Sequence, residues 1–444
     1  MPPARLPRIA LILTEFPPSF GGMQTHAQHL AHALHADGHA CMVFTYRADQ
    51  NELQEKAASF DAASGYPVRR ILSRIGFWHN HHLLMRELRA FAPDLVYASN
   101  VYYGLLAEEL RIPVICRSVG NDVQRPWISY PFRTGSQLVS HPKLERWLHR
   151  LYRRCNTPEW LEALLRQQRL QLMQRSAHGN ALVLANSHYT RDLLQQVGLA
   201  SGRIRVLPGG VDSRRFARAA PPDGWRRHHG IPEQAFVLMT ACRLVAKKGI
   251  DFLLAQVPAL RRIAPELHLL VVGDGRERRR CETLVASLGI AEHVTFTGRI
   301  AQEAIQHAYA ASDLFVLASR ISINRVSGLA DAETMGRVLC EANAAGLPLL
   351  ASHSAGIPSV VRHEHNGLLF RPDDAQDFLA CFTRIYRDTA LRRQLADAGR
   401  QRAEQEFDWS VLLAAHRRAF AEVLAAPALL QTHPDNPSFA PKTG

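Results

Sequence analysis

Short runs of apolar and β-branched residues alternate with segments of helical periodicity along most of this 444-residue sequence. The alternation begins with a predicted strand from Ile9 to Leu13, a helix from Met23 to Leu34 and a second strand from Ala40 to Thr45. Short strands separated by helices of roughly 10–15 residues predict βαβ units and a parallel sheet. This pattern indicates an α/β protein.

The alternation occurs in two series, which predicts two doubly wound sheets. Further strands of the first series are predicted at Leu95 to Ala98, Val114 to Cys116, Ala181 to Ala185 and Ile204 to Pro208. The second series has predicted strands at Phe236 to Thr240, His268 to Val272, Val294 to Phe296, Leu314 to Leu317 and Leu349 to Ala351. In such sheets ligands bind beyond the carboxyl ends of the strands, so we expect the chemistry in the loops there.

The breaks in this pattern predict the domain borders. Turn and charged residues at 217–233 are interpreted as a linker between a first domain, 1–216, and a second domain, 234–406. A polar segment at 123–178, with helical spacing in its second half, is predicted to be an insertion in the first domain. A helix at 407–426 follows the second domain, and the aperiodic tail 427–444 is predicted to be disordered.

The composition is that of a globular protein, with 47% hydrophobic and 21% charged residues. No apolar run approaches the roughly 20 residues needed to span a membrane. The seven scattered cysteines favour reduced thiols in the cytoplasm over a disulfide framework or a cysteine-based zinc site. The net charge of +13 attracts anions such as nucleotide diphosphates, nucleic acid or acidic lipid headgroups, although it is equally consistent with an arginine-rich background composition.

Two loops carry residue types suited to phosphate. Gly21 and Gly22 join the first strand to the first helix, where a glycine backbone can approach a phosphate closely; a simple turn is the alternative. Arg243 and Lys248 follow the first strand of the second series. Their cationic groups can offset the charge of a diphosphate, and a solvated basic turn is the alternative.

The strongest local pattern is a pair of glutamates, Glu333 and Glu341, at the start of a predicted helix. The backbone amides of Met335, Gly336 and Arg337 lie at its N-terminus and can receive a phosphate. The rise of a helix places Glu341 roughly 10 Å deeper than Glu333. One carboxylate can then bind the hydroxyls of a sugar and the other those of a ribose. Glu341 also stands among apolar residues, where an unpaired carboxylate is costly.

The ordered set of motifs resembles the retaining GT-B glycosyltransferases of family 4, from Arg8 to Leu424. The matching stretches are Phe20 to Met23, Asn186 to Arg191, Val206 to Asp212, Arg243 to Leu244 with Lys248 to Asp251, Val272 to Gly275, Val294 to Gly298, Ala311 to Phe315, the glutamate pair and Ala355 to Pro358. The resemblance implies an α/β GT-B fold, in which two Rossmann-like domains face each other across a cleft. It also implies that the final helix crosses back to the first domain.

The resemblance further implies a metal-independent hexosyltransferase without a covalent nucleophile or a cofactor, using a UDP- or GDP-sugar. Arg243 and Lys248 would hold the diphosphate, and the Gly21–Gly22 loop would close over it. Glu333 would contact the transferred sugar and Glu341 the ribose. The backbone near Arg299 and Ile300 would face the base. Such catalysis consists of positioning and charge stabilisation of the leaving group. The residues predicted to be catalytic are Glu333, Arg243, Lys248 and Asp122.

The sequence departs from the family pattern in four places. Val119 stands where many relatives carry a histidine, so contacts to the sugar pass to Ser118, Asn121 or Asp122 or are lost. Cys242 replaces a usual glycine, and Met335 a usual phenylalanine. The loop at 320–332 is longer than in relatives and enters the predicted sugar pocket at Glu333.

The acceptor is predicted to be a glycan or a lipid-linked glycan, in the assembly of bacterial surface polysaccharide or glycolipid. Aromatic and basic residues of the insertion suit peripheral contact with the anionic inner face of the cell membrane. They equally suit an amphipathic helix packed on its own core.

Two alternative functions are a catalytically silent nucleotide-sugar-binding scaffold, which Val119 suggests, and a GT-B nucleotide-sugar epimerase. A phosphorylase lacks a supporting motif here. No recognised nucleic-acid-binding module is present, so no nucleic-acid partner is predicted.

Overall fold

The computed structural model describes residues 5–19, 21–48, 51–74, 76–124, 147, 151, 159–217, 220–323 and 330–426. The chain divides into two compact units. The first comprises residues up to Ala185, with Arg191–Val206 and the chain from Leu413 onward. The second comprises Asn186–Thr190 and Leu207–Leu412. Each unit is built around one parallel sheet, so the predicted α/β architecture of two Rossmann-like domains is confirmed.

The first unit contains a seven-stranded sheet in the order β3-β2-β1-β4-β5-β6-β7. All the neighbouring strands pair in parallel, and the central ones are fully buried because helices cover both faces. The strands are β1 (Arg8–Ile12), β2 (Ala40–Tyr46), β3 (Val68–Leu72), β4 (Leu95–Ala98), β5 (Val114–Ser118), β6 (Leu182–Ala185) and β7 (Ile204–Val206). The helices along this part of the chain are α1 (Gly22–Ala36), α2 (Asn51–Ala63), α3 (Phe77–Phe91), α4 (Leu105–Leu110), α5 (Asn121–Gln124), α6 (Glu159–Gly179) and α7 (His188–Gln196).

The second unit contains a six-stranded parallel sheet in the order β10-β9-β8-β11-β14-β15, together with the two-stranded hairpin β12-β13. The strands are β8 (Phe236–Ala241), β9 (Leu267–Val272), β10 (Val294–Gly298), β11 (Leu314–Leu317), β12 (Ser322–Ile323), β13 (Ala330–Asp331), β14 (Leu349–Ser352) and β15 (Gly367–Phe370). The helices that follow α7 in the chain are α8 (Ser213–Ala217), α9 (Trp225–His228), α10 (Ile250–Ile263), α11 (Arg278–Ser287), α12 (Ile305–Ala310), α13 (Arg337–Ala344), α14 (Ala375–Arg387), α15 (Thr389–Arg402) and α16 (Trp409–Ala425).

Two strands of the parallel sheets, β3 and β15, lack a counterpart in the sequence prediction, as do the hairpin strands β12 and β13. β3 lies at the edge of its sheet and contains Arg69 and Arg70, so it has only one fully buried position, Leu72. An apolar run is therefore absent, although the strand pairs with β2. β15 is only four residues long and directly follows a polar turn.

The segment predicted as a linker, 217–233, lies inside the second unit. Arg226 fixes it to the sheet: its guanidinium donates to the Ala311 carbonyl at 3.1 Å and to the Asp313 carboxylate at 3.3 Å. The helix α9 forms within this segment.

The predicted insertion and tail fall largely outside the described residues. Of the insertion, the structure describes residues 123, 124, 147 and 151 and the helix α6, which begins at Glu159. The tail prediction at 427–444 lies outside the described residues. Among the helices that the structure describes, none is long and apolar enough to cross a membrane.

Candidate functional site

The turn after β8 lies at the carboxyl edge of the second sheet and carries the predicted cations. Arg243 is exposed, and no carboxylate within the described ranges pairs with its guanidinium. A short turn at Ala246–Lys248 then leads into α10 through Gly249. Gly249 has a φ of +63°, and a Cβ there would lie 2.1 Å from the Ala318 carbonyl oxygen. This close approach requires glycine and holds the turn against the end of β11.

Lys248 and Glu333 form an ion pair, with the lysine Nζ donating to the carboxylate Oε2. Their side chains are only 11% and 14% exposed. Burial alone would raise the pKa of Glu333, but Lys248, Lys247 and the Gly336 amide outweigh it and lower that pKa. Burial likewise opposes the charge of Lys248, yet Glu333 raises its pKa. Both groups are therefore charged at neutral pH.

A second lysine, Lys247, holds the segment immediately before Glu333. Its Nζ lies 2.8 Å from the Asp331 carboxylate and donates to the Ala332 carbonyl at 3.0 Å. Lys247 is almost fully buried, and Asp331 belongs to the hairpin strand β13. Sequence reasoning missed this contact because the two residues lie far apart in the chain and neither belongs to a recognised motif.

The start of the 320–332 loop is anchored to the same turn. The Arg320 amide donates to the Lys247 carbonyl at 2.8 Å. The Arg320 guanidinium binds both oxygens of Asp251 at 2.7 Å and one oxygen of Asp373 at 2.8 Å. Ion pairs thus fix both ends of the loop that leads to Glu333. Residues 324–329 of this loop lie outside the described residues.

Glu341 is buried on α13, with 4% of its surface exposed. The Tyr309 hydroxyl donates to its Oε2 at 2.8 Å, and the Arg337 guanidinium lies 3.3 Å from its Oε1. Burial and the neighbouring Glu341 charge raise the pKa of Tyr309 well above its ordinary value, so the hydroxyl stays a proton donor. Glu341 thus has the partners that its burial requires, and Tyr309 is one that the sequence pattern did not identify.

The helix that carries Glu341 begins later than the sequence suggested. Its first residue is Arg337, and Gly336 before it has a left-handed φ of +85°. Met335 lies before the helix with its side chain buried, where the Gly209 amide donates to its Sδ at 3.0 Å. The predicted spacing of roughly 10 Å assumes a helix that already includes Glu333. Because the helix begins only at Arg337, the distance between Glu333 and Glu341 does not follow from the helical rise.

The residues predicted to face a base lie next to the end of β9. The Gly273 amide donates to the Gly298 carbonyl at 2.8 Å, which brings the β9 and β10 ends together. A Cβ on Gly273, whose φ is +126°, would lie 2.0 Å from the Cys242 carbonyl oxygen. Arg299 is exposed, whereas Ile300 packs its side chain against the core of the unit. The backbone at these two positions is thus held beside the turn that carries Arg243.

In the first unit, Gly21 and Gly22 are exposed and start α1. A Cβ at Gly21 would lie 2.4 Å from the Gln24 side-chain oxygen. Gln24 in turn donates to the Glu15 carboxylate at 2.9 Å. The side chain of Gln24 therefore lies against the backbone of Gly21.

The Ser118-to-Asp122 segment forms a compact hydrogen-bonded turn after β5. The Ser118 hydroxyl donates to Asp122 Oδ1 at 2.7 Å, and the Val101 amide donates to Oδ2 at 3.1 Å. Burial raises the pKa of Asp122, although these donors partly oppose it. Asn121 is exposed and Val119 is half-buried. Asp122 and Ser118 thus satisfy each other, and Asn121 is the freer polar side chain.

Two family models match the chain. Residues 20–215 match the model described as Glycosyltransferase Family 4, and residues 223–402 match the model described as Glycosyl transferases group 1. The second match contains the turn with Arg243 and Lys248 as well as Glu333 and Glu341. Among the described residues, no group of three or more histidine, cysteine, aspartate or glutamate side chains is placed to hold a metal ion.

Individual relatives agree with these matches. A GDP-mannose-dependent alpha-(1-6)-phosphatidylinositol monomannoside mannosyltransferase of Mycobacterium tuberculosis is 32% identical over 251 residues, which are 55% of this chain and 62% of that protein. The chain thus spans less than two thirds of that relative. A D-inositol 3-phosphate glycosyltransferase of Thermomonospora curvata is 27% identical, over 88% of both chains. The crystal structure of Anabaena Alr3699/HepE in complex with UDP is similar in fold, with a TM-score of 0.69, 20% identity, and coverage of 94% of this chain and 100% of that one.

Proposed function

Because this chain belongs to the group 1 glycosyltransferases of the GT-B fold, we propose that it transfers a hexose from a UDP- or GDP-sugar with retention of configuration. The acceptor in this proposal is a glycan or a lipid-linked glycan, and the setting is bacterial surface polysaccharide or glycolipid assembly. The names of relatives include a GDP-mannose-dependent mannosyltransferase, so GDP-mannose is the first nucleotide-sugar to test.

The observation that carries the proposal is the nearly buried pair of Lys248 and Glu333 beside exposed Arg243. A leaving nucleoside diphosphate gains negative charge as the bond to the sugar breaks. Preorganised cations at that position stabilise the transition state without further reorganisation. Lys248 and Arg243 provide this charge, and Glu333, fixed by Lys248, is available to hydroxyls of the sugar. The leaving phosphate would then help to deprotonate the acceptor on the same face.

Glu341 supplies the second part of the proposed binding site. A carboxylate offers about four lone-pair positions for hydrogen bonds. Tyr309 and Arg337 each use one oxygen, which fixes the orientation of the carboxylate and leaves capacity for the ribose hydroxyls. The positive end of α13 lies one turn away, where it favours the phosphates.

In this proposal the cationic side chains perform the charge neutralisation that a divalent metal performs in other transferases. Addition of EDTA should therefore leave the transfer rate unchanged. A rate that falls with EDTA and recovers with Mg²⁺ would contradict this part of the proposal and leave the transferase assignment intact.

The test is calorimetric titration of the full-length protein with UDP, GDP and ADP, and with their sugars. We expect tight binding of one nucleotide and at least tenfold weaker binding by Glu341→Ala, a difference of about 1.4 kcal/mol. Glu404→Ala is the matched control because Glu404 is exposed, and its affinity should equal that of the wild type. If no nucleotide binds, the proposed function is wrong.

A catalytically silent nucleotide-sugar binder is the second candidate, because Val119 occupies the position of the expected histidine. It predicts nucleotide-sugar binding without sugar release or transfer. Incubation with the bound nucleotide-sugar and candidate acceptors, followed by detection of the free nucleotide, distinguishes the two functions. Val119→His should raise turnover if the missing histidine limits the reaction.

A further inference from the structure

The first unit contains a pocket of about 270 Å³ that none of the predicted site residues lines. It lies at the carboxyl ends of β1, β2 and β3, where Glu15, Arg47 and Arg74 contribute to its wall. Ligands of parallel sheets bind at this edge. The volume lies just below the roughly 300 Å³ of the smallest typical small-molecule pockets, so it suits a small group.

One of the three arginines in the wall, Arg70, has a structural role. Its guanidinium forms a two-pronged contact with Asp61, with distances of 2.7 and 2.8 Å, and also donates to the Pro17 carbonyl at 2.5 Å. Its charge is therefore balanced. The contact ties β3 to α2 and to the loop after β1, so the wall of the pocket is fixed.

The other two arginines are held by weaker contacts. Arg47 is exposed, and its backbone and Nε donate to the carbonyls of Leu72 and Ile71 at 2.9 and 3.1 Å. No carboxylate in the described part of the chain pairs with it. Arg74 lies 3.3 Å from Glu15 with 56% of its side chain exposed, and its guanidinium stands 5.1 Å from the centre of the Tyr46 ring.

Within the described part of the chain, the carboxylates near the pocket do not balance these charges. Asp61 is committed to Arg70, and Glu15, the one carboxylate among the described lining residues, lies 3.3 Å from Arg74. Glu15 also accepts a hydrogen bond from Gln24, so part of its capacity is used by a neutral group. The described wall of the pocket thus carries an excess of positive charge, presented by two guanidinium groups. Arg47 is held by backbone carbonyls of the neighbouring strand, and Arg74 by the Tyr46 ring.

We propose that this pocket binds a phosphate group carried by the acceptor. Paired guanidinium groups match the geometry of phosphate oxygens, and preorganised arginines lose little entropy on binding. The inference rests on the proposed function and narrows its acceptor to a phosphorylated one. A soluble phosphomonoester and a lipid phosphodiester share this chemistry, and the experiment distinguishes them.

The first arm measures binding of inorganic phosphate, glucose 6-phosphate and glucose to the full-length protein by calorimetry. We expect both phosphates to bind, glucose not to bind, and Arg47→Gln/Arg74→Gln to weaken phosphate binding at least tenfold. Arg86→Gln is the control, because Arg86 is 69% exposed on α3 and pairs with its neighbour Glu87. Its affinity should match that of the wild type.

The second arm measures cosedimentation with vesicles of phosphatidylglycerol and of phosphatidylcholine. Vesicle binding that requires Arg47 and Arg74, without binding of glucose 6-phosphate, identifies a lipid as the source of the phosphate. If the double variant binds phosphate and vesicles as well as the wild type does, the inference is overturned.

Titration of the same samples with UDP and GDP separates this inference from the proposed function. Nucleotide binding should be equal in the wild type and the double variant, because the side chains predicted to hold the nucleotide, Arg243, Lys248 and Glu341, lie in the second unit. Nucleotide binding without any phosphate binding overturns the inference alone. Arginine-dependent phosphate binding without any nucleotide binding supports the pocket and overturns the proposed function.

Discussion

Glu333 in the second unit and Asp122 in the first are both largely buried carboxylates at predicted site positions, and their surroundings are opposite. Glu333 is paired with a cation, Lys248, and its pKa is lowered despite burial. Asp122 is held by the hydroxyl of Ser118 and the amide of Val101, and burial raises its pKa. One site thus combines two buried charges, whereas the other stabilises one carboxylate with neutral hydrogen-bond donors.

The difference indicates how each carboxylate can be used. An ion pair beside an exposed arginine can exchange partners when an anionic ligand enters, because Lys248 has further donor capacity. Asp122 has both oxygens occupied by its own unit, where they tie the turn after β5 to the segment that begins at Val101. A catalytic role for Asp122 stays a prediction, and contact by exposed Asn121 requires the smaller rearrangement.

The largest expected effect is that of Lys248→Met. Removal of one partner of a buried ion pair leaves an uncompensated charge and costs about 3 kcal/mol of unfolding free energy. Chemical denaturation at pH 7 measures this loss. Lys56→Met is the control because its pair with Glu52 is exposed and screened by solvent, and it should leave stability essentially unchanged.

The same variant should reverse the pH dependence of the Glu333 site. In the wild type the pKa of Glu333 is lower in the folded state than its ordinary value of 4.5. The ionised carboxylate therefore adds to the free energy of unfolding above pH 4.5, and this gain is lost as the pH falls through the folded-state pKa. Without Lys248, burial is less strongly opposed and the pKa of Glu333 rises. The difference in unfolding free energy between wild type and Lys248→Met should therefore shrink as the pH falls below 4.5. An equal loss at pH 4 and pH 7 would contradict the ion-pair account.

The second prediction concerns the buried carboxylate of Glu341. Tyr309→Phe keeps the ring contacts with Phe216 and Phe315 and removes only the hydroxyl. A hydrogen bond to a buried charged group contributes about 2 kcal/mol, so the unfolding free energy should fall by that amount. Nucleotide binding should weaken too, because Arg337 alone then orients Glu341.

Tyr386→Phe provides the matched control for that prediction. Its hydroxyl donates to Glu266 at 2.6 Å, but this contact is exposed to solvent. Its removal should change the unfolding free energy by no more than about 0.5 kcal/mol and leave nucleotide affinity unchanged. Equal effects of the two variants would show that the burial of Glu341 does not set the strength of the Tyr309 contact.

The sequence predicts the fold well where buried strands form uninterrupted apolar runs. The strands Leu95–Ala98 and Leu314–Leu317 have the predicted bounds. Edge strand β3 escapes prediction because its arginines face solvent or the pocket. The start of α13 was misplaced because the left-handed conformation of Gly336 cannot be read from the helical pattern.

The candidate site is predictable only in part, for a related reason. Lys248, Glu333 and Glu341 belong to recurrent motifs. The pair of Lys247 and Asp331, and the contact of Tyr309 with Glu341, are instead defined by packing between distant segments. Lys247 and Asp331 are separated by 84 positions in the sequence (331 − 247) and meet only when the hairpin folds onto the turn after β8. A local pattern contains no information about such a contact.

The smallest expected effect is that of Ser118→Ala in the first unit. The hydroxyl stabilises the charged form of Asp122, so its removal should raise the already raised pKa further and cost about 1 kcal/mol at neutral pH. A carboxyl group with a raised folded pKa loses stability as the pH rises from 3.8 through that value, so wild type and variant should be almost equally stable at pH 3 and should diverge towards pH 7. Ser287→Ala, which removes an exposed hydroxyl contact to the Leu284 carbonyl rather than to a carboxylate, should show no such divergence. If Ser118→Ala instead abolishes sugar transfer with no change in stability, Ser118 contacts the substrate directly. Asp122 would then not depend on the Ser118 hydroxyl for its stability, and the contrast with the ion-paired Glu333 would be wrong.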